Sequence, residues 1–395
     1  MTSILLINDT TSVGHWGCAA TSAALRRNLQ SRGHTVTPLT LPLDLPPLEG
    51  ALSTPAHFSD PSLLDELEAN IPDLIAPIRD AETICVNGEG TLHGIYDRPR
   101  YLYALIAAAH HLGKPVALIN CSIFPESNPT GDAPEQYALH ASVLRHVGFI
   151  ACRDAFSHAI CHAMGIPAAR SFDCLPLEAV HHAQSTKAER HGIVLTGSVL
   201  RHPHLLSAFE AVTRRFAPEI TLLLDKPKPQ RADSDQHVAS HLQSVGLPIR
   251  TVRADSFESW LHTLASARVV VSGRFHHAMA ARVVGTPVVT VASNTPKLDA
   301  LTELGAPAPL DPFDSHLDEQ LIAATVDTLD AHAPPNNLDT ILRLANRNFA
   351  WLDEPAASHT DPPRYELPQR IEAAASTTNP GVPSSNQTPS KTRSP

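Results

Sequence analysis

The chain reads as an α/β protein of two Rossmann-like, doubly wound domains followed by a disordered C-terminal tail. Three observations carry that reading. Apolar runs of strand length alternate with helical stretches in the order strand, glycine-bearing loop, helix, the pattern of parallel strands joined by crossover helices. This alternation fades after residue 178 and then starts again. The stretch beyond about Glu354 is rich in Pro, Ser, Thr and Asn and lacks apolar periodicity, so it cannot bury enough surface to offset its ordering entropy. With 395 residues against a usual domain size of about 100–200, the partition is 1–178, a linker at 179–190, a second domain at 191–354 and a tail at 355–395.

The elements follow in order. "SILLIN" (residues 3–8) is an apolar strand, "DTTSVGHWG" a loop, and "CAATSAALRRNLQSRG" a helix that Gly33 ends. "HTVTPL" is the second strand. After a Pro-rich loop and the helical "SLLDELEANI" come the strand "ETICV" (82–86), the loop "NGEGTLHG" and the helix "RYLYALIAAAHHLG". "PVALIN" (115–120) and "GFIACRD" supply two more strands, the last ending at Arg153. The segment "VHHAQSTKAER" then loses periodicity, as a linker would. In the second half, strands "HGIVLTG", "ITLLLD", "IRTV", "RVVVS" and "PVVTVA" are interleaved with helices at "LLSAFEAVTRRF", "SFESWLHTLASA" and "RFHHAMAARVVG". "LDTILRLANRNFAWL" closes the second domain as an amphipathic helix.

Composition excludes several functions. A net charge of −10 and a pI near 6.1 leave no broad basic face for nucleic acid, although a local cationic pocket remains compatible with them. No run of about 18 apolar residues is present to span a bilayer, so the chain is not expected to be an integral membrane protein. The N-terminus lacks the basic region of a signal peptide, and cytoplasmic residence is the default expectation. The six cysteines form no CxxC pair and read as free thiols, with Cys18 and Cys121 near candidate site loops. The 23 histidines contain no HExxH or zinc-like spacing, so no metal site is expected.

Ligands of open α/β sheets bind at the carboxyl ends of strands, which directs attention to the loops that follow them. After "RVVVS", Ser272 and Gly273 lead into a short helix whose free N–H groups favour an anion. Arg274 adds a bidentate cation and His276 a group able to move a proton near neutral pH. The alternative is that Arg274 only pairs with a carboxylate and the histidines only hydrogen-bond at a helix start. In the first loop, Asn8, Gly14 and Gly17 free the backbone, and His15 and Trp16 offer contacts for a sugar face or, alternatively, packing at a domain edge. In the loop after "ETICV", Gly88 and Gly90 surround Asn87 and Glu89, where a carboxylate can orient or deprotonate hydroxyls. Arg153, Ser122, Asp173 and Lys297 are weaker strand-end signals.

The block "SGRFHHAMAARVVGTPVVTVASNTPK" resembles the Arg-x-His helix of the polysaccharide pyruvyl transferases, which is followed by Gly-x-Pro, a strand and a Lys. "VNGEGTLHG" stands where that family has a glycine-rich loop, and "CRDAFSHAICHAMGI" is similar to its Arg-Asp, Ser, Gly pattern. The resemblance implies a GT-B-like pair of domains and transfer of pyruvate from phosphoenolpyruvate to a carbohydrate as a ketal. It implies no cofactor besides that co-substrate. Arg274, Arg153, Ser272, Gly273 and Lys297 would bind the donor, and His276 and Glu89 would serve as acid and base. Asn8, Gly14, His15, Trp16, Gly17, Asn87, Gly88 and Gly90 would then contact the acceptor. A nucleotide-sugar glycosyltransferase on the same scaffold, or a non-catalytic sugar-binding protein of a surface-polysaccharide pathway, remains open at this point.

Overall fold

The two alternating halves form two all-parallel sheets in the computed structural model, which describes residues 2–12, 15–42, 54–94, 97–125, 134–183, 189–225, 234–331, 337–353, 366–367 and 369–376. The first sheet holds β1 (Ser3–Ile7), β2 (Thr35–Leu39), β3 (Thr83–His93), β4 (Val116–Phe124), β5 (Phe149–Cys152) and β6 (Ala169–Arg170), in the order β2-β1-β3-β4-β5-β6. The second holds β7 (Ile193–Ser198), β8 (Ile220–Leu224), β9 (Arg250–Arg253), β10 (Val269–Gly273) and β11 (Val288–Thr290), in the order β11-β10-β7-β8-β9. Both orders reverse direction once, between β1 and β3 and between β7 and β10. A crevice opens at each such switch point.

Central strands such as Ile4–Ile7 and Val269–Val271 are buried on both faces, which is why they read as unbroken apolar runs. One apolar layer covers the outer face of each sheet. A third layer is shared: Leu6, Ala24, Phe172 and Leu175 of the first half pack in one cluster with Val270, Ala278, Met279 and Leu301 of the second. The domains therefore meet through helices Trp16–Ser31, Leu175–Ala183 and Phe275–Val283, which contact one another.

Four boundaries differ from the sequence reading. The start of the expected linker is helix Leu175–Ala183, in which Glu178 and Ala179 are buried; the rest of the linker lies partly outside the described residues. The expected loop after "ETICV" is a continuation of β3: its register against β4 shifts between Glu89 and Leu92, and pairing then resumes. Glycine lets the strand bulge without leaving the sheet. The closing segment returns to the first domain, as helix Leu338–Asn346 followed by a 3₁₀ stretch Arg347–Leu352 against β4, β5 and β6. There Asn348 donates to Phe172 O at 2.8 Å and accepts the Asn120 amide at 2.7 Å. Finally, the expected disordered tail contains helix Gln369–Ser376, whose Ile371 and Ala375 are buried in the outer layer of the first sheet. Composition averaged over the tail hides this one i, i+4 apolar pair.

Candidate active site

On the first-domain side, three consecutive strands of the switch region carry a non-glycine residue with positive φ: Asn8 at 63°, Glu89 at 42° and Asn120 at 53°. Such backbone is disfavoured except for Asn and Asp, and it persists only where neighbours hold it. Asn87 is that neighbour. It accepts Asn8 Nδ2 on its carbonyl at 2.7 Å and Asn120 Nδ2 on its side-chain oxygen at 3.0 Å, and donates to Glu89 Oε1 at 3.3 Å. Thr10 donates to the same Glu89 oxygen at 2.6 Å. Glu89 thus reaches the cleft on a fixed backbone, with Gly90 beside it.

The helix Trp16–Ser31 brings His15, Gly17 and Cys18 to the cleft. Gly17 touches the second domain so closely that a Cβ there would lie 2.3 Å from the Cβ of His276. Burial and the adjacent Glu89 push the Cys18 thiol well above its ordinary range, so it stays protonated.

In the second domain, the Ser272 hydroxyl accepts Thr196 Oγ1 at 2.7 Å and the Arg274 amide at 2.9 Å, closing the turn before helix Phe275–Val283. That helix has no side-chain cap and no acid in its first turn, and Phe275, His276 and His277 line the cleft at its start. Arg274 donates through Nε and Nη2 to Asp235 Oδ1 at 2.8 and 2.6 Å, while Nη1 lies 3.9 Å from Asp225. Arg274 is therefore both carboxylate-paired and cleft-lining. Asp225 also pairs with His15 across the domains. Burial opposes its ionisation, but His15 and Arg274 outweigh that and hold its carboxyl well below the usual range.

His276 bridges the halves as well. Its Nε2 lies 3.4 Å from Asp173 Oδ2 and its Nδ1 3.9 Å from Cys18 Sγ. Arg153 donates to Asp173 at 2.7 Å and to Ser122 at 2.8 Å, with its guanidinium 5.0 Å above the ring of Phe275. Desolvation, then the charges of Arg153 and Arg274, pull the Lys297 ammonium down to about 8. Burial pulls His277 down to about 3 against the opposing Asp225, so that ring is neutral, edge-on to Trp260.

One cleft of about 200 Å³ thus collects His15, Gly17, Glu89, Gly90, Arg153, Arg274, His276 and Lys297. Other residues read as ligand contacts sit behind its walls. Asn8, Asn87, Ser272 and Gly273 are buried and brace the strand ends. Gly88 lies against Cys121, where a Cβ would come within 2.3 Å of another Cβ. Trp16 is not in the cleft wall: its indole donates across the domain boundary to Ala254 O at 3.3 Å. Gly14 lies outside the described residues. Asp225 and Asp235 escaped sequence reading; Asp225 ends "ITLLLD" and could have been flagged by the same strand-end rule that singled out Arg153. Among the described residues no group of three or more His, Cys, Asp or Glu side chains is arranged to hold a metal ion.

Residues 17–295 match the family model of the polysaccharide pyruvyl transferases, a span that includes both walls of the cleft and stops just before Lys297. The chain belongs to that family. This pyruvyl transferase family member is thus a transferase, and its role lies in polysaccharide synthesis. No curated protein sequence matches it. Among solved structures, it is similar to a putative UDP-N-acetylglucosamine 2-epimerase from Listeria monocytogenes at 13% identity and a TM-score of 0.57, over 93% of this chain and 99% of that one. The UDP-GlcNAc 2-epimerase of Neisseria meningitidis, bound to UDP-GlcNAc, gives 12% and 0.54 over 89% and 98%. The Anabaena HepE protein, in complex with UDP-glucose, gives 12% and 0.56 over 89% and 100%. At these identities the likeness concerns the fold, which is GT-B-like with two Rossmann-like domains. Among the described residues of this family member, no helix is long and apolar enough to cross a membrane.

Proposed function

We propose that the protein transfers pyruvate from phosphoenolpyruvate to a sugar of a polysaccharide or glycoconjugate, forming a ketal and releasing phosphate. The observation that carries this reading is the meeting of Arg153, Arg274, Lys297 and His276 at the start of helix Phe275–Val283, in one small cleft between the domains. Phosphoenolpyruvate has a phosphate and a carboxylate, which call for cationic side chains and oriented N–H donors. Its C3 takes a proton from His276, leaving an oxocarbenium-like C2. A sugar hydroxyl adds to C2 and gives up its proton, for which Glu89 is the base. The C2–O bond to phosphate then breaks, phosphate leaving with the proton held by Glu89, and a second hydroxyl of the sugar closes the ketal as its proton returns to His276. In this scheme no cofactor beyond the co-substrate takes part.

A nucleotide-sugar donor is the competing reading, because the start of helix Phe275–Val283 would accept a diphosphate by the same N–H groups. Thermal shift separates the two readings, since ligand at about 100 times its Kd adds about 2.7 kcal/mol of stability. Stabilisation by phosphoenolpyruvate, with acceptor-dependent phosphate release followed by ³¹P NMR, is the expected result. Stabilisation by UDP-sugars with no response to phosphoenolpyruvate would overturn the proposal.

A further inference from the structure

Both ring nitrogens of His276 have protein neighbours, and they are unlike. Nε2 faces a carboxylate oxygen of Asp173 at 3.4 Å, and Nδ1 faces the thiol of Cys18 at 3.9 Å. Asp173 is fully buried and belongs to the first domain, whereas His276 belongs to the second. The carboxylate is fixed from several directions. Oδ2 receives Arg153 Nη1 at 2.7 Å, and Oδ1 receives the Thr21 hydroxyl at 3.2 Å and the Leu175 amide at 2.8 Å. Burial disfavours its charge, yet His276, Arg153 and the Leu175 amide hold the carboxyl well below its usual range, so it is ionised. An ionised carboxylate only accepts hydrogen bonds, so it calls for a proton on the imidazole nitrogen beside it.

We infer that Asp173 is a positioning residue that keeps a proton on Nε2 of His276 and leaves Nδ1, on the Cys18 side of the ring, as the atom that exchanges protons with the reactants. The same carboxylate bonds Arg153, so one buried group aligns an anion contact and the acid together. Gly17 completes the arrangement, because only a residue without Cβ lets the first helix approach His276 this closely. The acid is thus assembled across the domain boundary: the second domain supplies the imidazole and the first its orientation. What the proton is used for rests on the pyruvyl-transfer reading; the tautomer does not. Charged and titratable groups around the ring are Asp173 and Arg153 from the ends of β6 and β5, Cys18 and His15 from the first helix, Glu89 from β3, Asp225 from β8, Lys297 after β11, and Arg274 and His277 beside it in sequence.

The test begins with the wild-type protein. ¹⁵N NMR of histidine-labelled full-length chain, with the His276 signals identified by their loss in His276→Gln, reports which nitrogen carries the proton. Protonation at Nε2 in the neutral ring supports the inference, and protonation at Nδ1 overturns it without any variant having to fold. Asp173→Asn then supplies the kinetic arm. Losing the carboxylate that orients a catalytic imidazole is expected to lower kcat by about 10²–10⁴-fold. KM for phosphoenolpyruvate should rise as well, because Arg153 loses the same partner, and the alkaline limb of the kcat profile should move to lower pH because the imidazolium loses its stabilising partner. A purely structural role would leave the shape of that profile alone. Asp173→Asn protein with wild-type turnover and an unmoved profile would overturn the inference. Inability of wild-type protein to use phosphoenolpyruvate, alongside an Nε2-protonated ring, would instead remove the proposed reaction and support the positioning role.

Discussion

The two walls of the cleft are fixed by different forces. Just after β1 and within β3 and β4, position comes from backbone: three residues in left-handed conformation, tied by amide hydrogen bonds through Asn87. At the ends of β8 and β10 the backbone is ordinary, with Arg274 at a φ of −115°, and position comes from charge, through Arg274 with Asp235 and His15 with Asp225. The first arrangement rests on uncharged amides of Asn8, Asn87 and Asn120. The second depends on which groups are ionised and on both members of each pair being present. A substitution in the charged wall therefore tests stability and ligand binding together, and the two must be separated.

The largest effect expected is on turnover. His276→Ala removes the proposed acid and one partner of the buried Asp173, which keeps Arg153, so kcat should fall about 10²–10⁴-fold, far more than its loss of thermal midpoint accounts for. His277→Ala should do the reverse, because that ring is neutral and buried against Trp260: a loss of about 1–3 kcal/mol in denaturant unfolding, with most of the turnover kept. Equal losses of activity and stability in both variants would abolish the distinction between these neighbours.

Arg274→Ala should cost stability as well as donor affinity. It removes the guanidinium from Asp235, which is fully buried, and breaking a buried ion pair costs about 3–5 kcal/mol. Adding Asp235→Ala should restore much of the unfolding midpoint while KM for phosphoenolpyruvate stays high. A double variant that regains both would mean that Arg274 serves the fold alone.

Gly17→Ala probes the seam where the walls touch. The new methyl would overlap the His276 Cβ, so the two helices must separate, at about 1–3 kcal/mol in stability and with a fall in kcat. Wild-type kinetics in this variant would show that the close approach is unimportant to the acid.

The smallest effect is a pH dependence. With its ammonium pulled down to about 8, Lys297 loses charge as pH rises through that value, so KM for phosphoenolpyruvate should climb above pH 8. Its stability contribution runs the other way. The unfolded lysine keeps its proton to about 10.4, so between these values the unfolded state binds more protons and stability rises with pH. In Lys297→Arg the climb in KM should vanish from this range, and its persistence would assign the titration to another group.

Much of this was legible in the sequence, because it depends on near neighbours along the chain. Strand runs, the Gly273 turn, the start of the Arg274–His276 helix and the glycines around Glu89 are local patterns, and the strand-end rule brought Arg153 and Lys297 into view. The helix at Gln369–Ser376 was missed because two apolar positions in a polar tail make a weak periodic signal. Ser272 and Asn87 were read as ligand contacts because a polar residue at a strand end looks the same whether it faces a cleft or braces a turn. That choice is made by burial, which one strand's sequence does not contain.

By itself the sequence determined two parallel α/β halves, a helix start bearing an arginine and a histidine, and the strand ends where chemistry could gather. Periodicity and turn chemistry act over a few residues, so they are written locally. Tertiary structure decided the partners: Asp235 for Arg274, 39 positions earlier; Asp225 for His15, 210 later; Asp173 for His276, 103 earlier. A carboxylate's attraction depends on distance in space and on the water removed around it, and both are set only once the shared layer of helices packs the two sheets together.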